Sequence, residues 1–518
     1  MPEQVANRSS GQQTLSIQDA LDLAVVHHTA GDLAKAESVY RKILETDPDH
    51  PAALQLLGVS AHQMGRNDAA VDLISRAIAR DPDYAEAHNN LGLALHDLGK
   101  LDQAVASYHQ ALAIKSDYAE ANNNLGLALQ ALGKVEDALA SYLQALATEP
   151  DYAGAHYNFG NALRELGRLD EAIASYQKAL AIRPGFAEAH YHLGETLREL
   201  GRLEEAVASY REALSIKPDF AEVLNNLGNA LRELGRLDDA LASYRKALDF
   251  KPDFSGAGRN LLYALLNVSG LSQEELFNEH LRFSETHLRG IARPVEDLTN
   301  DPTSHRRLRV GYLSSDFHNH PVGSNVLPLL SSHDRKKFEI FCYAQVRRPD
   351  AMTQRFRSCV DHWRAIAGKS DSEVAGMVRA DGIDILVCLA GHAGDNRLLV
   401  CAYRAAPVQV SFHDLASSAL AEMDYWLTDA FLHPPGTKER FTEELQPLQV
   451  FYQYPPVLEA PPVDRLPADQ AGFVTFGSFN NPAKVNEDVT GLWAKVLKSV
   501  PGSRLLFKYL NWYAQESL

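Results

Sequence analysis

Glycine recurs at Gly58, Gly92, Gly126, Gly160, Gly194 and Gly228, and again at Gly31, Gly65, Gly99, Gly133, Gly167, Gly201 and Gly235; both series step by 34 residues. Ala36, Ala70, Ala104, Ala138, Ala172, Ala206 and Ala240 keep the same step, as do Pro48, Pro82, Pro150, Pro184, Pro218 and Pro252, with Ser116 in the one gap. A phase-locked period over seven units restricts the front half of the chain to a repeat array. Each unit leaves an apolar face that only its neighbour can cover.

The period and its residues resemble the tetratricopeptide repeat, in which each unit is a helical hairpin. The unit from Ala153 to Pro184 has a direct physical reading. Its first helix carries Ala155, Phe159, Gly160 and Ala162, and Gly160 lets the second helix approach; Gly167 opens the turn. The second helix packs Ala172, Tyr176, Ala179 and Leu180 at i, i+4, i+7 and i+8, and Pro184 ends it. Stacked units give an α superhelix with a concave groove suited to extended chains.

One polar phase stands out. Asn90, Asn124, Asn158 and Asn226 share it, with His192 in the missing slot and Leu56 where the row ends. An amide offers a donor and an acceptor, so a row of them could hold a peptide backbone whatever its sequence. Hydrogen bonding within each repeat is the alternative reading.

The 518 residues carry 50 Lys plus Arg against 67 Asp plus Glu, a net charge of −17, which argues against a nucleic-acid partner. Cys342, Cys359, Cys388 and Cys401 show no CxxC pair and no metal-ligand spacing, so they read as reduced core thiols and no metal site is expected. The opening MPEQVANRSSGQQT has no apolar core and no long apolar run follows. No signal peptide and no membrane partner are expected, and the compartment read from this is cytoplasmic.

Beyond Phe254 the period dissolves. SQEELFNEHLRFSETHLRGIA reads as an amphipathic helix and VEDLTNDPTSHRR as a linker. RLRVGYLSS, FEIFCYAQV, IDILVCLAG and PVQVSFH then read as strands, and VGSNVLPLLSSH, AMTQRFRSCVDHWRAI and EVAGMVRAD as helices. Strands alternating with helices predict a doubly wound parallel sheet, with ligands at the carboxyl ends of its strands. The loops to watch are Ser314 to His320, Ala390 to Asn396 and His413 to Ser417. FVTFGSFNN, VTGLWAKVLKSV and SRLLFKYL read as one further strand, helix and strand. One such unit cannot cover both faces of a parallel sheet, so it is expected to dock on the preceding domain or to be the start of a truncated one.

LRVGYLSSDFHNHP, DGIDILVCLAGHAGDNR with RAAPVQVSF and MDYWLTD, and FGSFNNPAKV with LWAKVLKSVPGSRLL together resemble the catalytic region of the protein O-linked N-acetylglucosamine transferases. That family also carries an amino-terminal tetratricopeptide superhelix. The resemblance implies two facing Rossmann-like lobes, UDP-N-acetylglucosamine as donor substrate, no metal or other cofactor, and transfer with inversion to serine or threonine hydroxyls. It assigns Asp316 and His320 to the active site, with Pro321 shaping the sugar-facing loop. Lys484 matches the diphosphate-binding lysine and Asn481 a nucleotide contact, and amides near Pro482 could point at the same phosphates. Protein or peptide acceptors would lie in the superhelix groove, held by Asn90, Asn124, Asn158, His192 and Asn226. Taken alone, one lysine, or one histidine in a His-rich loop, reads as a surface side chain.

The implied layout is a disordered tail over 1–16, seven repeats over 17–252, a linking helix and linker over 253–306, a first Rossmann-like lobe over 307–465, and an incomplete nucleotide-binding lobe over 466–518. Three departures from the family stand in the sequence. The loop before the linking helix reads Asn267, Val268, Ser269, Gly270 and lacks a histidine, with His280 displaced into the helix. The family's GYPG turn is replaced by His413, Asp414, Leu415 and Ala416. Its distal HTT segment would fall beyond Leu518. The expectation is therefore a weak or inactive transferase, with a non-catalytic repeat scaffold as the alternative.

Overall fold

The computed structural model describes residues 16–289, 291, 298, 300, 301, 303, 305–414, 416–451, 465–478, 485 and 487–507. Residues 1–15 of the expected tail lie outside these, as do Asn481, Pro482 and Lys484. The chain divides into two compact units, one up to Arg202 and one from Leu203 onward. No described helix is long and apolar enough to cross a membrane.

Fourteen helices run from Ile17–Thr29 to Leu237–Phe250. In the first unit the hairpin Ala153–Glu165 and Leu169–Ile182 buries Ala155, Gly160, Ala162, Ala172, Tyr176 and Ala179, as the spacing predicts. A Cβ on Gly160 would sit 2.7 Å from Cε1 of Tyr176, so only glycine admits the ring. Tyr108 and Tyr142 fill the same role against Gly92 and Gly126, and Ile74 does so against Gly58.

In the second unit the helical packing continues past Phe254. Helix Ser255–Leu265 buries Ala257 with Leu224 and Ala247, and helix Gln273–Leu288 follows behind a Ser272/Glu275 capping box. Then comes a seven-stranded parallel sheet: β1 (Leu308–Ser314), β2 (Phe338–Ala344), β3 (His362–Ala365), β4 (Ile385–Leu389), β5 (Val408–Phe412), β6 (Tyr425–Asp429) and β7 (Glu444–Leu448), in the order β3-β2-β1-β4-β5-β6-β7. Alternate residues feed two cores. Val310, Tyr312, Ile340 and Cys342 pack with Leu330 of helix Pro321–Ser332 and Phe356 of helix Ala351–Ser358, while Leu313, Phe341, Tyr343 and Cys388 pack with Val374 and Val378 of helix Asp371–Ala380. Both faces are thus covered, as a parallel sheet requires. The four cysteines are unpaired, with Cys359 only partly buried.

One predicted element is corrected. AMTQRFRSCVDHWRAI is not a single helix: the helix stops at Ser358, and His362–Ala365 pairs with Phe341–Ala344 as an edge strand. Strands β6 and β7 were not foreseen. β8 (Thr475–Ser478) and β9 (Arg504–Phe507) form a separate two-stranded parallel sheet with helix Glu487–Ser499 between them.

Candidate active site

The strand order reverses between β1 and β4, which pair with each other although β2 and β3 lie between them in sequence. A crevice opens at such a switch point, outside the carboxyl ends of the two strands. The loop after β1 and the loop after β4 meet there, and Asn396 joins them. Its Oδ1 accepts from Ser314 Oγ (3.0 Å) and the Ser315 amide (2.7 Å), while its Nδ2 donates to Asp316 Oδ2 (3.0 Å). Asp316 Oδ1 also accepts from Ser315 Oγ at 2.9 Å. The carboxylate is buried and held by two donors, so its direction is fixed.

His320 caps helix Pro321–Ser332, with Pro321 at the first helical position, where no amide hydrogen is needed. The ring's Nδ1 accepts from the Val322 amide at 3.3 Å and lies 3.8 Å from Asp316 Oδ2. A ring accepting at Nδ1 carries its neutral-state proton on Nε2, which makes the partly exposed imidazole a donor. Two contacts press this loop into place. The Asn319 amide donates to Asp350 Oδ2 at 2.8 Å, and a Cβ on Gly323 would stand 2.6 Å from the carbonyls of Asp316 and His318. The structure therefore brings Asp316, His320 and Pro321 together at the switch point; Lys484 and Asn481 are outside the described residues.

The loops after β4 and β5 are joined in turn. Each leaves its strand through a non-glycine residue with positive φ, Ala390 at 52° and His413 at 61°, and backbone strain of this kind collects at functional sites. His392 donates its amide to Asp414 Oδ1 (3.1 Å) and its Nδ1 lies 3.1 Å from Asp414 Oδ2, so the residue that departs from the family's turn anchors the β4 loop. His280 stacks edge-on against His392 at 4.7 Å, and burial pushes it down to about 3. It is a neutral core side chain.

Within the second unit, helix Ser255–Leu265 also reaches this network. Asn260 stands one period beyond Asn226 and donates Nδ2 to Asn225 Oδ1 at 2.8 Å. The same bond recurs in the first unit from Asn124 to Asn89 (3.1 Å) and from Asn158 to Asn123 (2.9 Å). The amide row thus bonds from repeat to repeat. Asn90 and Asn226 are half-buried on the same phase. His192 is packed among Tyr157, Tyr176 and Tyr191, and burial pushes it down to about 4. Next to Asn260, Arg259 donates Nη1 to the carbonyl of Asn396, whose side chain holds Asp316. Sequence reasoning missed Asn260 and Arg259 because it closed the array at Phe254; the period alone would have found Asn260.

Residues 279–453 match the family described as Glycosyl transferase family 41, and stretches spanning residues 27–254 match tetratricopeptide repeat families. A solved structure of a Thermobaculum terrenum O-GlcNAc transferase mutant is 34% identical, with a TM-score of 0.61 over 68% of each chain. The probable UDP-N-acetylglucosamine-peptide N-acetylglucosaminyltransferase SPINDLY of Arabidopsis thaliana is 43% identical over 218 residues, covering 41% of this chain and 24% of the relative. The Caenorhabditis elegans UDP-N-acetylglucosamine-peptide N-acetylglucosaminyltransferase is 34% identical over 27% of this chain and 12% of its own. The chain thus spans about a quarter or less of the length of these two relatives.

Proposed function

Since the chain belongs to the O-GlcNAc transferase family, we propose that it moves N-acetylglucosamine from UDP-N-acetylglucosamine to serine or threonine hydroxyls of proteins, with inversion. The observation that carries the reading is the Asp316, Asn396 and His320 constellation at the switch point of the sheet. Transfer requires the acceptor hydroxyl to lose a proton while UDP leaves with growing negative charge. In this proposal the fixed Asp316 carboxylate faces the hydroxyl or sugar, and His320 donates Nε2–H to an oxygen beside it. Lys484 meets the diphosphate charge without a metal ion, with Asn481 on the nucleotide and Pro321 shaping the sugar-facing turn. Acceptor segments lie along the array, held by Asn90, Asn124, Asn158, His192 and Asn226. A cytoplasmic setting belongs to the same proposal.

The test is the configuration of the product. Incubation with UDP-N-acetylglucosamine and a serine-containing peptide should give a β-linked glycoside by NMR, formed equally well in EDTA. A retained α-linkage, or a strict need for added divalent metal, would refute the reading. Lys484→Met should fall mainly on turnover, by roughly a hundredfold, because it meets charge that grows in the transition state.

A further inference from the structure

A cavity of about 190 Å³ opens beside Asn396, lined by Arg259, Gln345, Arg347, Asp371, Asp395 and Arg397 among others. It is smaller than the roughly 300–1,000 Å³ usual for sites that enclose a whole small molecule, so it suits one functional group of a larger ligand. Three arginines face two aspartates there, leaving one surplus positive charge within a chain of net charge −17.

The arginines are not equivalent. Arg397 is fully engaged: Nε bonds Asp371 Oδ1 at 2.6 Å, Nη1 bonds Gln345 and Nη2 bonds the Lys369 carbonyl. Arg347 stands 3.6 Å from Asp395 with both side chains exposed. Arg259 has no carboxylate within ion-pair distance among the described residues. Its Nη1 meets the Asn396 carbonyl, and its Nε is buried with no hydrogen-bond partner among the described residues. A shielded guanidinium with an idle N–H is unfavourable unless an anion arrives to use it.

Position argues for what arrives. Arg259 adjoins Asn260, a rung of the amide row within the second unit, and its partner Asn396 carries Asp316. The cavity wall thus includes the neighbour of one rung, Arg259, and the residue that orients Asp316, Asn396, all within the second unit. We infer that the cavity is an acceptor subsite for a carboxylate side chain, an Asp or Glu of the peptide near its modified hydroxyl, gripped by Arg259 with help from Arg347; the inference rests on the peptide-acceptor reading above. The guanidinium fork matches a carboxylate in two-pronged fashion. A single surplus charge fits a monoanion, whereas a phosphate dianion would be repelled by Asp371 and Asp395.

The experiment measures binding without nucleotide sugar, so its result is independent of whether transfer occurs. Fluorescein-labelled serine/threonine/alanine peptides carrying one Glu are compared with the same peptides carrying Gln, by anisotropy against the full chain. The Glu peptides should bind about tenfold tighter, the value of one charge-assisted pair. That preference, read as the ratio of Glu- to Gln-peptide affinity within each protein, should vanish in Arg259→Gln and shrink in Arg347→Gln, an exposed position where folding is not at issue. Equal binding of Glu and Gln peptides by the parent would overturn the proposal. So would a preference that survives in both variants, or one abolished by millimolar inorganic phosphate but not by acetate.

Discussion

Replacing Asn396 by Asp changes one NH₂ group to an oxygen at the centre of the site. The lost Nδ2 donates to Asp316 Oδ2 at 3.0 Å and to the Ala393 carbonyl at 2.9 Å. In Asn396→Asp an anionic oxygen would face both. Two unit charges about 3 Å apart repel by about 5 kcal/mol even at an effective dielectric of about 20. Keeping one carboxyl protonated at pH 7 against an ordinary value of about 3.9 takes about 4 kcal/mol. Protonation is the cheaper route, so the pair shares one proton and restores an O–H···O bond. The folded-state pKa of the pair is then raised above its unfolded value. Its contribution is fully present at low pH and is lost as pH rises through neutrality. Asn396→Asp should therefore be about 4 kcal/mol less stable than the parent at pH 7, and the gap should close by about 1.4 kcal/mol per pH unit on acidification toward pH 4. Urea unfolding followed by tryptophan fluorescence is suited to this, because all four tryptophans, Trp363, Trp426, Trp493 and Trp512, follow the helical array in sequence. Equal midpoints at pH 7, or a gap that stays constant between pH 7 and pH 5, would refute the reasoning.

Further outcomes follow from burial and close approach. Gly126→Ala would place a Cβ 2.5 Å from Cε1 of the buried Tyr142 and should cost about 1–3 kcal/mol. Gly376→Ala, in a helix with open space around it, should instead stabilise by up to about 1 kcal/mol; paired thermal melts read the opposite signs. His280 is held down to about 3 by burial, so stability present above its ordinary value near 6.5 is lost as pH falls toward 3. His280→Phe should flatten the acid limb of a denaturation profile, because it removes the buried group that must charge there. Replacing Asn124 and Asn158 together by Ala should weaken peptide binding and also lower the array's melting temperature, because each amide bonds the preceding repeat at about 0.5–1.5 kcal/mol.

The array was legible because its packing is local: a glycine opposite a tyrosine, repeated at one period, needs no knowledge of distant contacts. The strands β1, β2, β4 and β5 were legible for the same reason, as apolar runs bounded by polar turns. β3 was not, since helical spacing in AMTQRFRSCVDHWRAI runs across the Ser358 helix end, and the choice of strand for His362–Ala365 is made by pairing with β2. Asp316 and His320 could be singled out by resemblance and by their place after a strand. Asn396 and Asp414 fall in the watched loops after β4 and β5, but their partners, and any role for Arg259, could not be read, because these depend on β1 lying beside β4 and on helix Ser255–Leu265 standing next to both. Linear pattern carries no such adjacency. His280 was set aside as displaced, and the structure makes it a packing partner of His392.

The central claim, that the switch point carries sugar transfer, is tested most directly by intact mass spectrometry of an acceptor peptide after long incubation with the chain and UDP-N-acetylglucosamine in EDTA. The account predicts slow addition of single N-acetylhexosamine units to serine or threonine, abolished in Asp316→Asn and strongly reduced in His320→Ala. Addition at the parent rate in both variants would contradict it.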